Sequence, residues 1–425
     1  MARFSRHVAV GDQAVSSISN FVAVAITANV ASPGEFGQFS LAYAGLLLFL
    51  GAQRALIGET LLVRYSATGA LAAQARREVL GASLWVAGAT LPFLLAGAVI
   101  ADQSSGPIWL VIAASLPFVL LQDTLRYVFI CEGRPWRALL IDAVWAVLSI
   151  TAMAVVASTP GATVWTVVLC WGCGAAAALA LGLVLNRGVP SLPAGRRWLG
   201  ANRSPGLRYL GEFSALNASN FVVLYLLALP LGAAGVGALR AAQLLFSPLN
   251  TAFAAIKMAV IPELVRTKGT AVFRKRLIET MVAVAAMAGL WGAAVMLLPA
   301  SVGSFVLGAS WEPASGLRLP YLVQYLAMVP YTVLLAYYRS LQADKLSTLM
   351  RAALAVLTLG LPLALAYAGG TLASAWAFAL AVAAAVVVGG IATGLSLSRS
   401  RSEAEPTPER PAPEDAGLRP AADAR

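Results

Sequence analysis

Arg240, Gln243, Ser247, Asn250, Ala254 and Lys257 follow one another at spacings of 3, 4, 3, 4 and 3. At 3.6 residues per turn they share one helix face, which carries a guanidinium, two carboxamides, a hydroxyl and an ammonium. The residues between them are mostly apolar, so the stripe lies on a segment otherwise suited to hydrocarbon. An ionisable residue at membrane depth is costly and lines a water-filled path or pairs with a partner. This face cannot point at lipid.

The same pattern occurs 200 residues earlier. Tyr43, Leu47, Leu50 and Arg54 correspond to Gln243, Ser247, Asn250 and Ala254, and Ser19-Asn20-Phe21-Val22 returns unchanged as Ser219-Asn220-Phe221-Val222. Gly11-Asp12 returns as Gly211-Glu212. Arg54 thus falls one turn from the level of Lys257, and the two cations are expected to face one cavity from opposite sides. For Arg54 the alternative is an internal salt bridge with Glu59 or Asp123. The cationic site is asymmetric, since Arg54 meets Ala254 in the repeat and Lys257 meets Ile57. Asp12 and Glu212 fall within a turn of a membrane face, where snorkelling or helix-end pairing competes with a role in the path. Two halves with polar residues at matched positions suggest a transport pathway between pseudo-symmetric bundles.

The elements that must position these residues are membrane helices. Of 425 residues, 59% are hydrophobic and only 12% charged, against about 25% charged in soluble domains; mean hydropathy is +0.78. Spans need about 20 apolar residues, and twelve are expected, roughly at 11–31, 37–60, 79–100, 107–130, 138–158, 163–186, 209–231, 236–262, 278–299, 316–338, 346–367 and 371–395. The fold class is therefore all-α and polytopic: a six-helix lobe over 1–190, a linker over 191–208, and a second six-helix lobe over 209–397. The tail, 398–425, is rich in Pro, Glu, Ala and Arg and is expected to be disordered.

Arginine and lysine fall in alternate connections. Arg64, Arg76, Arg134, Arg187–Arg208, Arg266–Arg276, Arg339 and Lys345 lie on one side, while the connections around Pro33, Asp102, Pro160, Gly235, Trp311 and Gly369 have none. The positive-inside rule places both termini in the cytoplasm. A net charge of +11 then follows from topology and attraction to anionic membrane lipids, and calls for no nucleic acid. The stretch after Arg6 reads as a first span, not a cleavable signal. Cys170 and Cys173 form C-W-G-C within an apolar span, a setting for packing more than redox chemistry. His7 is the sole histidine, against imidazole metal sites and His-dependent triads; no cofactor is expected. Asp123 and Arg126, three apart, are expected to neutralise each other locally.

Three segments carry a family resemblance: G-D-Q-A-V-S-S-I-S-N-F from Gly11, S-P-G-E-F-G-Q-F-S-L-A-Y-A from Ser32 and R-A-L-I-G-E-T-L-L-V-R-Y-S from Arg54. With twelve spans in two halves, the chain resembles the bacterial polysaccharide flippases of the multidrug/oligosaccharidyl-lipid/polysaccharide (MOP) superfamily. The resemblance implies a V-shaped pair of lobes like that of the MATE transporters. Spans 1, 2, 7 and 8 would line a cavity open alternately to each side of the bacterial inner membrane. The implied cargo is an isoprenoid-diphosphate-linked oligosaccharide. Arg54, Lys257 and Arg240 would meet its phosphates, Arg through bidentate contacts, and Asn20, Asn220, Gln243, Ser247 and Asn250 its sugar hydroxyls. Asp12, Glu59, Asp123 and Glu212 are the candidates for coupling to H+ or Na+. Other polysaccharide-assembly proteins are further partners.

Two rivals are a drug or small-molecule/cation antiporter of the same superfamily, which would want an acidic, aromatic cavity, and a membrane-embedded envelope-polysaccharide enzyme or assembly factor. An enzyme would want an acid/base group on an accessible loop. The cation-free connections offer only Glu35, Asp102 and Glu312.

Overall fold

In hydrocarbon, backbone N–H and C=O groups must be satisfied within the protein, and a segment that closes no barrel does this as a helix. The computed structural model describes residues 2–65, 71–268 and 270–404, without the side chains at 2–14, 257–259, 271 and 396–404, and contains no strand among them. The first half holds α1 (Ala2–Val30), then α2 (Pro33–Gln53), which runs through a π-helical turn (Arg54–Glu59) into α3 (Thr60–Tyr65). It continues with α4 (Ala73–Ile100), α5 (Gly106–Cys131), α6 (Pro135–Ala157) and α7 (Val164–Asn186). Two connecting helices, α8 (Leu192–Ala201) and α9 (Arg203–Leu216), lead to α10 (Ser219–Thr267), α11 (Ala271–Met296), the short α12 (Ala300–Leu307) and α13 (Trp311–Ser315), α14 (Arg318–Ser340) and α15 (Asp344–Ala404).

Nine helices among the described residues are long and apolar enough to span, with α2 and α3 counted as one. Two of them break internally, α10 at Gly232 (φ 66°, ψ 179°) and α15 at Gly369–Gly370 (Gly370 φ 66°, ψ −150°). Those angles are open in practice only to glycine, so each long helix supplies two spans. With the apolar stretch Val15–Val30 of α1, the described residues hold twelve apolar helical arms, of which Ser219–Leu231 is shorter than the expected span. The helix that ends the chain of elements runs to Ala404, six residues past the expected start of the tail; residues 405–425 lie outside the described residues.

The connections that carry arginine and lysine gather at one end of the bundle, here the cation-rich end. The other end, whose connections hold no arginine or lysine, is here the cation-free end; just inside it Arg318 opens α14 and closes α11, donating from Nη1 to the carbonyls of Val295 and Met296 at 3.3 and 3.2 Å. The corner between α1 and α2 is built by the Ser32-Pro33-Gly34-Glu35 run. Ser32 caps α2, accepting from Glu35 N at 3.3 Å, while the Glu35 carboxylate accepts from Ser32 N at 3.0 Å, a reciprocal capping box with Pro at the first helical position.

In the first lobe α1 packs on α6, α4 on α5, and α7 on both α5 and α6; in the second, α14 and α15 pack on each other and on α10. The lobes meet along α2 and α10. The meeting is tightest at the cation-free end, where Gly37 lies against the Ala233 carbonyl and Gly237 against the Pro33 carbonyl. Nearby, Asn29 Nδ2 at the end of α1 donates to Phe305 O of α12 at 2.5 Å, and Tyr225 Oη donates to Leu41 O at 2.6 Å.

The segment expected as a linker, 191–208, is helical and docked on the first lobe. Gly195 of α8 lies against the backbone of Gly81 and Ala82 in α4, and Trp85 Nε1 donates to Leu192 O at 2.9 Å. The expected seventh span, 209–231, is interrupted at Asn217, where α9 stops and α10 begins two residues on. Gly206 and Phe213 of α9 press on Leu56 and Gly51, so this segment takes its partners from α2 and the π-helical turn.

Candidate binding cavity and the first-lobe ion network

A cavity of about 710 Å³ lies between the second lobe and α2. One wall is α10 beyond its break at Gly232, through Arg240, Gln243, Asn250 and Ala254; facing it are Tyr321, Gln324, Tyr325, Tyr331 and Arg339 of α14 and Arg351 of α15. Asn217, Ser219 and Asn220 contribute from the break between α9 and α10. The cavity thus runs from Arg240, one turn below Gly237, towards Ile261, Arg339 and Arg351 at the cation-rich end.

Its polar groups are partly preset. Arg240 Nη1 donates to Gln243 Oε1 at 2.6 Å and has no carboxylate partner among the described residues. Asn250 Nδ2 donates to Tyr325 Oη at 2.9 Å, and the Tyr325 ring stacks on Phe246 at 5.4 Å. Gln324 Oε1 is buried with no hydrogen-bond partner, an acceptor left open on the wall. Three arginines and no aspartate or glutamate line the cavity among the described residues.

The first lobe holds a smaller hollow of about 50 Å³, lined by Ser16, Ser19, Asn20, Tyr43, Gln122 and a chain of alternating charges. Arg54 clasps Asp123 with both arms of its fork, Nε to Oδ2 at 3.0 Å and Nη2 to Oδ1 at 2.7 Å. Arg126 Nη1 reaches the same Oδ1 at 3.2 Å, and Arg126 Nε pairs with Asp142 Oδ2 at 3.0 Å. Gln122 Nε2 donates to Asp142 Oδ1 at 2.6 Å. Two guanidinium and two carboxylate groups balance, as burial of charge demands. The side chains of Asp123, Asp142 and Arg126 are 3%, 6% and 14% exposed, but Arg54 is 40% exposed. Leu47 lines both hollows.

The expected site residues are therefore distributed unevenly. Arg240, Asn220, Gln243 and Asn250 come together in the large cavity, whereas Asn20 and Arg54 line the first-lobe hollow. Of the two acids offered for Arg54, Asp123 takes it. Ser247, although on the stripe, turns its hydroxyl to Leu244 O of its own helix at 2.8 Å and does not line the cavity. The side chains of Lys257 and Asp12 lie outside the described residues. Glu59 and Glu212 are exposed, and Asp123 is held by two arginines. Among the described side chains, the cations that line the large cavity are Arg240, Arg339 and Arg351; the expected pairing of Arg54 with Lys257 across one cavity falls on a side chain outside the described residues.

The α14 wall adds a lining face beyond the expected site residues. Tyr321, Gln324, Met328, Tyr331, Leu335 and Arg339 recur at 3, 4, 3, 4 and 4, a helical face as regular as that of the second α10 arm. Among the described residues no group of three His, Cys, Asp or Glu side chains gathers to hold a metal ion.

No protein-family model matches the sequence, and no curated protein sequence does. Solved structures do match. An inward-facing conformation of a multidrug resistance MATE family transporter of the MOP superfamily aligns with TM-score 0.67 at 14% identity, over 92% of this chain and 96% of its own. The lipid II flippase MurJ in an inward closed conformation aligns with TM-score 0.67 at 11% identity, over 89% of this chain and 86% of its own. An outward-facing conformation of a MATE family transporter gives 0.57 at 13% identity, over 94% and 96%. The chain has the all-α, two-lobed fold of the MOP superfamily transporters.

Proposed function

We propose that this chain flips an isoprenoid-diphosphate-linked oligosaccharide from the cytoplasmic to the outer leaflet of a bacterial inner membrane, for polysaccharide biosynthesis or export, by alternating access. The observation that carries the reading is the charge of the large cavity: Arg240, Arg339 and Arg351 against no carboxylate among its described lining. A diphosphate matches that field, and planar guanidinium groups suit its oxygens. Asn217, Asn220, Gln243, Gln324 and Asn250 offer the mixed donors and acceptors that sugar hydroxyls use.

The cation-rich end is read as cytoplasmic, which makes the present state inward-facing: closed at Gly37 and Gly237, with the cavity running towards the cytoplasm. The higher TM-score with the inward-facing MATE structure supports this. Cargo release outside requires the outward state to hold the headgroup less tightly, because a ligand bound equally well by both states shifts nothing.

A drug or cation antiporter of the same fold is the competing reading, and Tyr321, Tyr325 and Tyr331 in the wall favour it. The lack of a carboxylate among the described lining weighs against it. The test is mass spectrometry of isoprenoid-linked lipids from cells depleted of this protein and from rescued cells. One complete lipid-linked oligosaccharide should accumulate on the cytoplasmic leaflet. A truncated intermediate would point to an enzyme or assembly factor, and an unchanged profile to the antiporter.

A further inference from the structure

Arg54 lines the first-lobe hollow, seven residues along the chain from Leu47, which borders both hollows. It is the outer member of a buried charge chain whose other three side chains are 14% exposed or less. It is also the first residue of the π-helical turn Arg54–Glu59, an interruption of the regular ladder that is frequent at functional sites. Its fork is engaged by a carboxylate in the two-point manner that a phosphate also accepts. Resting on the reading of the cargo as a lipid diphosphate, we propose that Asp123 is a docking carboxylate for Arg54. The Arg54 guanidinium alternates between Asp123 and the cargo diphosphate, and its recapture by Asp123 assists release.

The rest of the chain is arranged to permit this exchange. When Arg54 leaves, Asp123 keeps the hydrogen bond from Arg126 at 3.2 Å, and Arg126 keeps Asp142 at 3.0 Å. Asp142 in turn keeps the amide of Gln122 at 2.6 Å. No carboxylate is left without a donor, which is the costly outcome when one partner of a buried pair is removed. Arg126 is less suited to the mobile part, because it bridges two carboxylates and its departure would leave Asp142 with the neutral Gln122 amide in place of a cation. Leu47, two turns from Arg54 on the same α2 face, borders both hollows, so a headgroup held at Arg240 from the second lobe lies across α2 from Arg54. Asp123 is thus a positioning residue: it competes with the ligand for a shared donor pair.

Competition has an unusual signature, since removing the acid should strengthen binding of the anion. The experiment is calorimetric titration of the purified full-length protein in detergent with geranylgeranyl diphosphate. Asp123→Asn should bind about tenfold more tightly than wild type, equivalent to about 1.4 kcal/mol. Arg54→Gln/Asp123→Asn should lose that gain. A purely structural Asp123 would give weaker or unchanged binding in the single variant. If Asp123→Asn fails to fold, Asp123→Asn/Arg126→Gln/Asp142→Asn neutralises the chain while leaving Arg54, and should show the same gain. Unchanged or weaker affinity in the folded variant, with wild-type binding that Arg240→Ala abolishes, overturns the docking role and leaves the flippase reading standing. Wild-type protein that binds no geranylgeranyl diphosphate overturns both.

Discussion

Gly37 and Gly237, 200 residues apart in the chain, pack against each other's helices by a reciprocal contact: a Cβ on Gly37 would strike the carbonyl of Ala233, and one on Gly237 that of Pro33. Pro33 and Ala233 are themselves 200 apart, so the contact exchanges equivalent residues as a two-fold interface between subunits does. It places the pseudo-symmetry axis between these glycines and makes them a point of close backbone approach between the lobes. Gly37→Leu or Gly237→Leu should force the cation-free end apart. With Ala44→Cys as reporter on the cavity wall, a membrane-impermeant thiol reagent applied from outside should label the Leu variants and spare the parent; equal labelling would show that the glycines do not seal this end.

Arg240 has no acidic partner among the described residues, so Arg240→Ala should leave protein level and membrane insertion unchanged. The loss should be of cargo: about ten- to hundredfold in transport if one charge-assisted contact of about 1.5–3 kcal/mol disappears. Arg240→Lys should recover part of it. Accumulation of the lipid-linked oligosaccharide by mass spectrometry measures both.

Within the first-lobe chain, position decides between stability and transport. Arg126→Gln leaves two buried carboxylates short of a cation and should cost about 3–5 kcal/mol, seen as a lower melting temperature in detergent. Arg54→Gln leaves Asp123 with Arg126 and should melt much closer to wild type while transporting poorly. The reverse order would show that the network is anchored at Arg54.

Gln53 tests the neutral part of the same lobe. Its amide donates to Leu120 O at 2.7 Å and Thr124 Oγ1 at 3.0 Å, and its carbonyl accepts from Ser83 Oγ at 2.9 Å. Gln53→Leu should lower stability by about 1–3 kcal/mol through the buried groups left unpaired, with binding of geranylgeranyl diphosphate unchanged in the folded fraction.

Hydropathy and length made the twelve spans legible, and glycine at 232 and 370 or Ser-Pro at 32–33 marks corners that chemistry explains. The break at Asn217 was not legible, because continuous apolarity says nothing about where a helix loses its own ladder to neighbours such as Leu56. The α10 stripe was legible as a face, yet Ser247 on it serves its own helix, an option short hydroxyl side chains always have. For Arg54 the sequence offered Glu59 or Asp123, and only packing of α5 against α2 selects the second. The regular spacing that makes the α14 tyrosines a cavity wall was present in the sequence but spread among apolar neighbours.

The docking of α8 and α9 moves the mechanical boundary between the lobes. Gly195 holds α8 to Gly81, Arg64 Nη1 reaches Asn202 Oδ1 at 2.7 Å, and Gly206 fixes α9 to Leu56. The chain up to Leu216 is thereby cargo of the first lobe, and Asn217–Ala218 is the short covalent bridge on which the second must pivot. That bridge borders the large cavity through Asn217, so under the proposed reading a headgroup bound there would touch the joint between the lobes.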